Sequence, residues 1–313
     1  MSAPAIDVHG LVKRFGDRVA VDRVTLRVER GEIAGFLGPN GSGKTTTLRV
    51  MCGLLTADAG GGAVLGRDVR REAARIRLQV GYMTQGFSLY EDLTIEENLR
   101  FVAGLYRLSP AARHVEETLA DLGLGDRRRQ LAGTLSGGWK QRLALGACVM
   151  HRPRLLLLDE PTAGVDPKAR REFWEALHRL ALEGVTVLVA THYMDEAERC
   201  HRVHCISRGA LVAGGTVPEV VARSGLVTFR LEGGDLAAAE RMLRAAPAAE
   251  QVAAFGPALH VVGRDAAALE AAVRRAAEAG GGRASRTETS LEDAFVGFVA
   301  GGEAAPAGRD PAG

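Results

Sequence analysis

Short apolar runs broken by turn residues set the pattern of this chain. Over residues 6–36, β-like runs alternate with turns: Ile6-Asp7-Val8, Val24-Thr25-Leu26-Arg27-Val28 and Ile33-Ala34-Gly35-Phe36-Leu37. Farther on, Leu155-Leu156-Leu157-Leu158 and Val185-Thr186-Val187-Leu188-Val189 have the length and flanks of strands buried in a parallel sheet. Helical spacing predicts a helix from Thr45 to Leu55 and another from Lys168 to Leu182; the second lies between two apolar runs and completes a βαβ unit. Residues 94–150 read mostly as helices, opened by a Thr94-Ile95-Glu96-Glu97 capping box. After residue 222 the character changes. A strand (Val227 to Leu231), a helix (Leu236 to Ala246), two short strands and a helix (Ala266 to Ala279) lead through polar Arg283 to Ser290 into a last helix at Leu291. This is the pattern of a small α+β unit. The Gly/Ala/Pro-rich segment 301–313 is expected to be disordered.

Composition narrows the picture only at its edges. The 313 residues suit one large and one small domain, and 46% apolar with 25% charged is ordinary for a globular chain. A net charge of +2 gives nucleic acid no support as a main partner. No apolar run approaches the ~18–20 residues needed to span a bilayer. Four cysteines without CxxC spacing, and no signal peptide, favour a reducing cytoplasm.

The sharpest chemistry lies at Gly38-Pro39-Asn40-Gly41-Ser42-Gly43-Lys44-Thr45-Thr46. A strand, a glycine-rich turn and a helix start in this order form a phosphate cradle. Glycines let successive N–H groups face phosphate oxygens, and the helix N-terminus adds partial positive charge. Lys44 is placed to reach the terminal phosphates, and the Thr45 hydroxyl to help hold Mg²⁺. Asp159-Glu160 follows the Leu155–Leu158 run, where open α/β sheets put their ligands. Asp159 can hold Mg²⁺ and Glu160 can polarise an attacking water. His192 follows the next apolar run, and taken alone it reads as a structural histidine. In Cys200-His201-Arg202-Val203-His204-Cys205 strand alternation sends His204 and Cys205 to opposite faces, so this run reads as a strand and not as a zinc site.

Leu135-Ser136-Gly137-Gly138-Trp139-Lys140-Gln141-Arg142, placed between the P-loop and Asp159-Glu160, resembles the signature motif of the ABC ATPases. Gln85 matches that family's Q-loop, Ala163-Gly164-Val165-Asp166 its D-loop, Thr191-His192 its switch histidine, and Phe15 the aromatic ring that stacks on adenine. The resemblance covers residues 4–222. It implies an α/β P-loop NTPase fold, with a RecA-like core, a helical subdomain over about 86–150, and here an accessory α+β domain over 223–300. It also implies ATP and Mg²⁺ as cofactors, with Gln85 sensing both and His192 orienting the γ-phosphate. The expected partners are a second ATPase subunit, as a homodimer or pair, and an integral-membrane permease at the cytoplasmic face. In the head-to-tail pair, Ser136, Gly137, Gly138 and Asp166 of one subunit would close the ATP held by the other. Trp139 departs from the Gln usual at its position, and Ala163 and Val165 depart from the frequent Ser and Leu. In finer detail, Gly81 to Tyr106, Met194 to Cys200 and Ser290 to Phe295 resemble the daunorubicin-resistance type of multidrug and antibiotic exporters. An importer subunit, a lipid or polysaccharide exporter and a soluble ABC ATPase are the alternatives. The single P-loop and the roughly 115 residues between Lys44 and Asp159, free of heptads, speak against the last.

Overall fold

A computed structural model describes residues 3–300, so the C-terminal segment expected to be disordered lies outside the described residues. The chain divides into two compact units, the first reaching Val212 and the second beginning at Ala213.

Two sheets carry the first unit. One is antiparallel, in the order Arg18–Val28, Ile6–Phe15, Ala59–Val64, Arg67–Asp68. The other runs Ala210–Gly215, Arg202–Ser207, Ile33–Leu37, Thr186–Thr191, Leu155–Asp159, Val80–Met83. From Arg202–Ser207 to Val80–Met83 its pairs are parallel. Every residue of Ile33–Leu37, Leu155–Asp159 and Thr186–Thr191 is buried, which is why these strands read as unbroken apolar runs. The helix Lys44–Met51 contributes Leu48, Val50 and Met51 to the main core, alongside Ile6, Leu26 and Phe36. It is shorter than the expected Thr45–Leu55. Gly53, with φ of +73°, turns the chain, and the N–H groups of Leu54 and Leu55 both close back on the Arg49 carbonyl.

Register explains where ligands must go. Leu37 pairs with Thr191, and Asp159 pairs with Ala190, so three neighbouring strands end side by side. Gly38, Glu160 and His192 each follow one of these ends, and two backbone bonds tie the ends together: Gly38 N–H to Thr191 O (3.1 Å) and Glu160 N–H to Ala190 O (2.8 Å).

The helical layer contains Ile95–Leu105, Ala111–Asp121 and Gly137–Val149 around Ile95, Leu99, Val115, Leu119 and Leu143. The predicted capping box forms, with Thr94 N–H donating to Glu97 at 2.8 Å and Glu97 N–H to the Thr94 hydroxyl at 3.2 Å. The run from Cys200 does enter a strand, Arg202–Ser207, in which Cys205 is buried and His204 half-buried with its Nε2 out of solvent. Burial pushes the His204 imidazole down to about 4, so it is neutral at physiological pH.

The second unit is βαββαβ in its core. Its antiparallel sheet runs Gln251–Phe255, Ala258–Gly263, Val227–Glu232, Arg283–Thr287, and the helices Leu236–Arg244 and Ala266–Gly280 pack their Leu243, Leu269 and Val273 against Leu231 and Val261. The polar stretch after Gly282 is thus an edge strand. Among the described residues no helix is long and apolar enough to cross a membrane.

Candidate functional site

The P-loop begins where Ile33–Leu37 ends and closes at Gly43, the N-cap of Lys44–Met51. Two of its glycines, Gly38 and Gly43, are required by space. A Cβ at Gly38 would lie 2.4 Å from the Ile206 carbonyl oxygen, and one at Gly43 would lie 2.4 Å from that of Ala20. Lys44 is 3% exposed and folds back over the loop, donating to Gly38 O (2.7 Å) and Pro39 O (3.1 Å). Its ammonium also stands 3.3 Å from Glu160 Oε1. Burial lowers the pKa of Lys44, against the opposing pull of Glu160 and Asp159. Ser42 is buried, and its hydroxyl has no hydrogen-bond partner among the described residues.

Glu160 is the centre of the constellation. Besides Lys44, its carboxylate accepts a hydrogen bond from Gln85 Nε2 at 3.0 Å, and His192 Nδ1 approaches it at 3.3 Å without hydrogen-bond alignment. The residue is only 6% exposed, and its backbone has φ of +49°, a left-handed conformation that costs a non-glycine residue about 1–2 kcal/mol. The bond from its N–H to Ala190 and the turn bond from Ala163 N–H (3.2 Å) hold it there. Such local strain at a chemically armed residue is what functional sites carry.

Asp159 sits one residue earlier, at the strand end. Burial raises its pKa; a hydrogen bond with Thr45 works the other way, and the Glu160 charge adds to the rise. Asp159 Oδ1 is buried with no hydrogen-bond partner. The resemblance implies that Gln85 joins Thr45 and Asp159 at Mg²⁺. Its amide rests on Glu160, while Thr45 and Asp159 bond to each other.

A cavity of about 550 Å³ opens over the loop, lined by Phe15, Asn40, Gly41, Gly43, Lys44, Thr45, Thr46, Gln85 and Glu160, and also by Arg18 and Ala20. Phe15 is 51% exposed beside the phosphate cradle, with the Lys13 ammonium 5.7 Å from its ring centroid. Arg18 belongs to no motif in the sequence. It comes from the turn of the Ile6–Phe15/Arg18–Val28 hairpin, and a Cβ at Gly41 would lie 3.9 Å from its guanidinium. Its only sequence signal is its place three residues after Phe15.

Ser136, Gly138 and Asp166 line a different cavity, of about 570 Å³, together with Trp139 and Thr162. Ser136 is the N-cap of Gly137–Val149, yet its side chain makes no capping bond. Asp166 caps Pro167–Leu182 through Lys168 N–H (3.1 Å) and Ala169 N–H (3.0 Å). Gly138 faces that helix so closely that a Cβ there would lie 2.6 Å from Ala169 Cβ. Trp139 is stacked between the guanidinium groups of Arg127 (4.7 Å) and Arg142 (4.8 Å) and packs on the helical core. No residue lines both cavities, so within one chain the P-loop group and the signature group stay apart.

Comparison with known proteins gives the lineage of this arrangement. The family model described as ABC transporter matches residues 21–163. The chain is 47% identical over 221 residues to the probable multidrug ABC transporter ATP-binding protein YbhF of Escherichia coli, covering 70% of this chain but 38% of that protein's length. It is 40% identical over 249 residues to the daunorubicin resistance ATP-binding protein DrrA3 of Streptomyces coeruleorubidus, covering 78% of this chain and 79% of that one. Among solved structures, the ATP-binding cassette MJ0796, dimeric in a post-hydrolysis state with ADP and Pi, shares 26% identity at a TM-score of 0.62 over 67% of this chain and 97% of that one. At 40% identity over 79% of DrrA3, and with the ABC transporter model matching through residue 163, this chain belongs to the family of ABC transporter ATP-binding proteins.

Proposed function

We propose that the chain hydrolyses ATP to power export of drugs or antibiotics, working as a head-to-tail pair beneath a separate membrane permease at the cytoplasmic face. The observation that carries the hydrolytic part is the Glu160 carboxylate, gathered by Lys44, Gln85 and His192 at the mouth of the P-loop cavity. The carbonyls of Gly38 and Pro39 and the Glu160 carboxylate occupy the Lys44 ammonium where phosphate oxygens would compete for it. Glu160 then takes the proton of the attacking water, a general-base contribution of about 10²–10⁴ in rate. His192 orients that water and the γ-phosphate, and Phe15 stacks on the adenine. The unpartnered Asp159 Oδ1 and the Thr45 hydroxyl are hard oxygen donors of the kind Mg²⁺ prefers, and they fit that ion. Bound there, Mg²⁺ would neutralise charge on the terminal phosphates.

Pairing follows from the two cavities. Ser136, Gly138 and Asp166 line no part of the P-loop cavity of their own chain, which supports a reading in which they and Gly137 act on a partner's nucleotide. The free Ser136 hydroxyl supports this role. For the permease contact the support is an apolar group close behind Gln85: Tyr90 and Phe101 meet edge-on at 5.1 Å and are 50% and 47% exposed, and Leu105, one turn from Phe101, is 68% exposed. The names of YbhF and DrrA3 support drugs as cargo.

Two experiments test these parts separately. Lys44→Ala is expected to weaken ATP binding by about 10–100-fold, because hydrogen bonds to a charged group contribute about 1.5–3 kcal/mol; nucleotide titration with unchanged affinity would remove the cradle. Tagged chain extracted from host membranes in mild detergent is expected to bring down a stoichiometric polytopic membrane protein. Recovery only from the soluble fraction, bound to ribosomes or nucleic acid, would overturn export and leave the ATPase standing.

A further inference from the structure

Glu196 is a carboxylate at 1% exposure that none of the chemistry above uses. It lies in the short helix Met194–Ala197, just past His192. Its two oxygens reach two different strand-end segments. Oε1 accepts the hydroxyl of Thr162, two residues beyond Glu160, and Oε2 accepts the hydroxyl of Thr191, adjacent to His192, at 2.6 Å. Both threonines are fully buried. The Thr191 hydroxyl oxygen in turn accepts the Tyr193 N–H at 3.0 Å, and the Thr191 carbonyl accepts the P-loop N–H of Gly38.

A carboxylate taken out of water is costly unless its oxygens are satisfied, and either threonine alone could have bonded a nearby carbonyl instead. A tie that served packing alone would have no need to choose these two segments. One carries the left-handed Glu160 turn, and the other carries the histidine that approaches the same carboxylate at 3.3 Å. We propose that Glu196 is a positioning residue, a clamp that joins the Glu160–Thr162 turn to the Thr191–His192 strand end and so keeps base and imidazole in register. It touches no reacting atom, and the inference rests on the hydrolytic reading above. When nucleotide draws Lys44 and Gln85 off Glu160, the backbone tie to Ala190 and this clamp still hold the carboxylate opposite His192.

The test is steady-state ATP turnover and nucleotide titration of the full chain in Glu196→Ala, Glu196→Gln and Thr191→Val, each with a thermal melt. Glu196→Ala is expected to lower kcat at least tenfold while KM and nucleotide affinity stay within about threefold. Glu196→Gln keeps one acceptor oxygen and the side-chain shape, and is expected to recover much of the rate. Thr191→Val is nearly isosteric and severs the Oε2 arm together with the Tyr193 N–H bond; it should fall between wild type and Glu196→Ala, with a melt lowered but still cooperative. In a His192→Ala background the Glu196→Ala loss should shrink, because the partner it positions is gone. If wild-type chain binds and hydrolyses ATP while Glu196→Ala and Thr191→Val match its kcat, the clamp is overturned and the ATPase stands. Should Glu196→Ala fail to fold, Thr191→Val, assayed well below its own cooperative melt, decides: native kcat overturns the clamp, and reduced kcat with native nucleotide affinity supports it. Wild-type chain that binds no nucleotide overturns the hydrolytic reading, and the clamp with it.

Discussion

Glu160→Gln is expected to bind ATP about as well as the natural chain and to turn it over at least ~100-fold more slowly. The amide has the size of the carboxylate, so the 6%-exposed site, the left-handed turn and the bond from Ala163 N–H all survive. One oxygen remains to accept the Gln85 amide. What disappears is the basic oxygen. The negative charge 3.3 Å from the Lys44 ammonium goes too, which leaves Lys44 freer for phosphate and gives binding no reason to weaken. With phosphate contacts intact and cleavage stalled, ATP-bound pairs should accumulate, visible as a larger species on size-exclusion chromatography that ADP does not produce. Phosphate release at the natural rate would strip Glu160 of its assigned role.

The second large effect is expected at Gly43. Its φ of +105° is a conformation that side chains rarely adopt, and an added Cβ would meet the Ala20 carbonyl oxygen at 2.4 Å and Gly209 Cα at 3.5 Å. The carbonyl at 2.4 Å is the obstacle and it is backbone, so no rotamer change relieves it, while Gly209 at 3.5 Å is in ordinary contact. Backbone strain of about 1–3 kcal/mol and overpacking of similar size together give roughly 2–6 kcal/mol for Gly43→Ala. The protein can escape only by opening the turn that caps Lys44–Met51, where Thr47 N–H bonds the Gly43 carbonyl at 2.9 Å. That movement spoils the phosphate cradle itself. Thermal unfolding should therefore drop and ATP affinity should fall by about 100-fold or more. Gly104→Ala is the matched control. That glycine lies in Ile95–Leu105 with nothing within 4 Å of an added Cβ, so stability should hold or rise by about 0.5–1 kcal/mol. Equal losses at the two glycines would contradict the argument.

Much of this site is legible in the sequence because strand, loop and helix follow one another without interruption. Leu37 to Thr45 is one local motif, and the position of Asp159-Glu160 needs only the knowledge that Leu155–Asp159 is a buried strand. What the sequence does not display is what long-range folding brings together. Arg18 enters the P-loop cavity because a hairpin packs there, and its place three residues after Phe15 is all the sequence offers. Glu196 meets Thr162 across thirty-four positions and is just another acidic residue on paper. The strand Arg283–Thr287 escapes detection for a different reason. It contains no large apolar residue, because as an edge strand it takes its stability from bonding to Val227–Glu232 and not from burial. The end of Lys44–Met51 was overrun because Leu54 and Leu55 continue the apolar pattern while Gly53 stops the helix.

If the signature residues act in trans as proposed, two cavities with no residue in common would leave a solitary chain idle. In the paired arrangement proposed above, fuel use becomes a property of assembly: newly made subunits drifting free of a partner spend little ATP, and consumption climbs with the square of their concentration until pairing is complete. A permease that brings two copies face to face would then act as an ignition, confining the expense to the place where cargo waits.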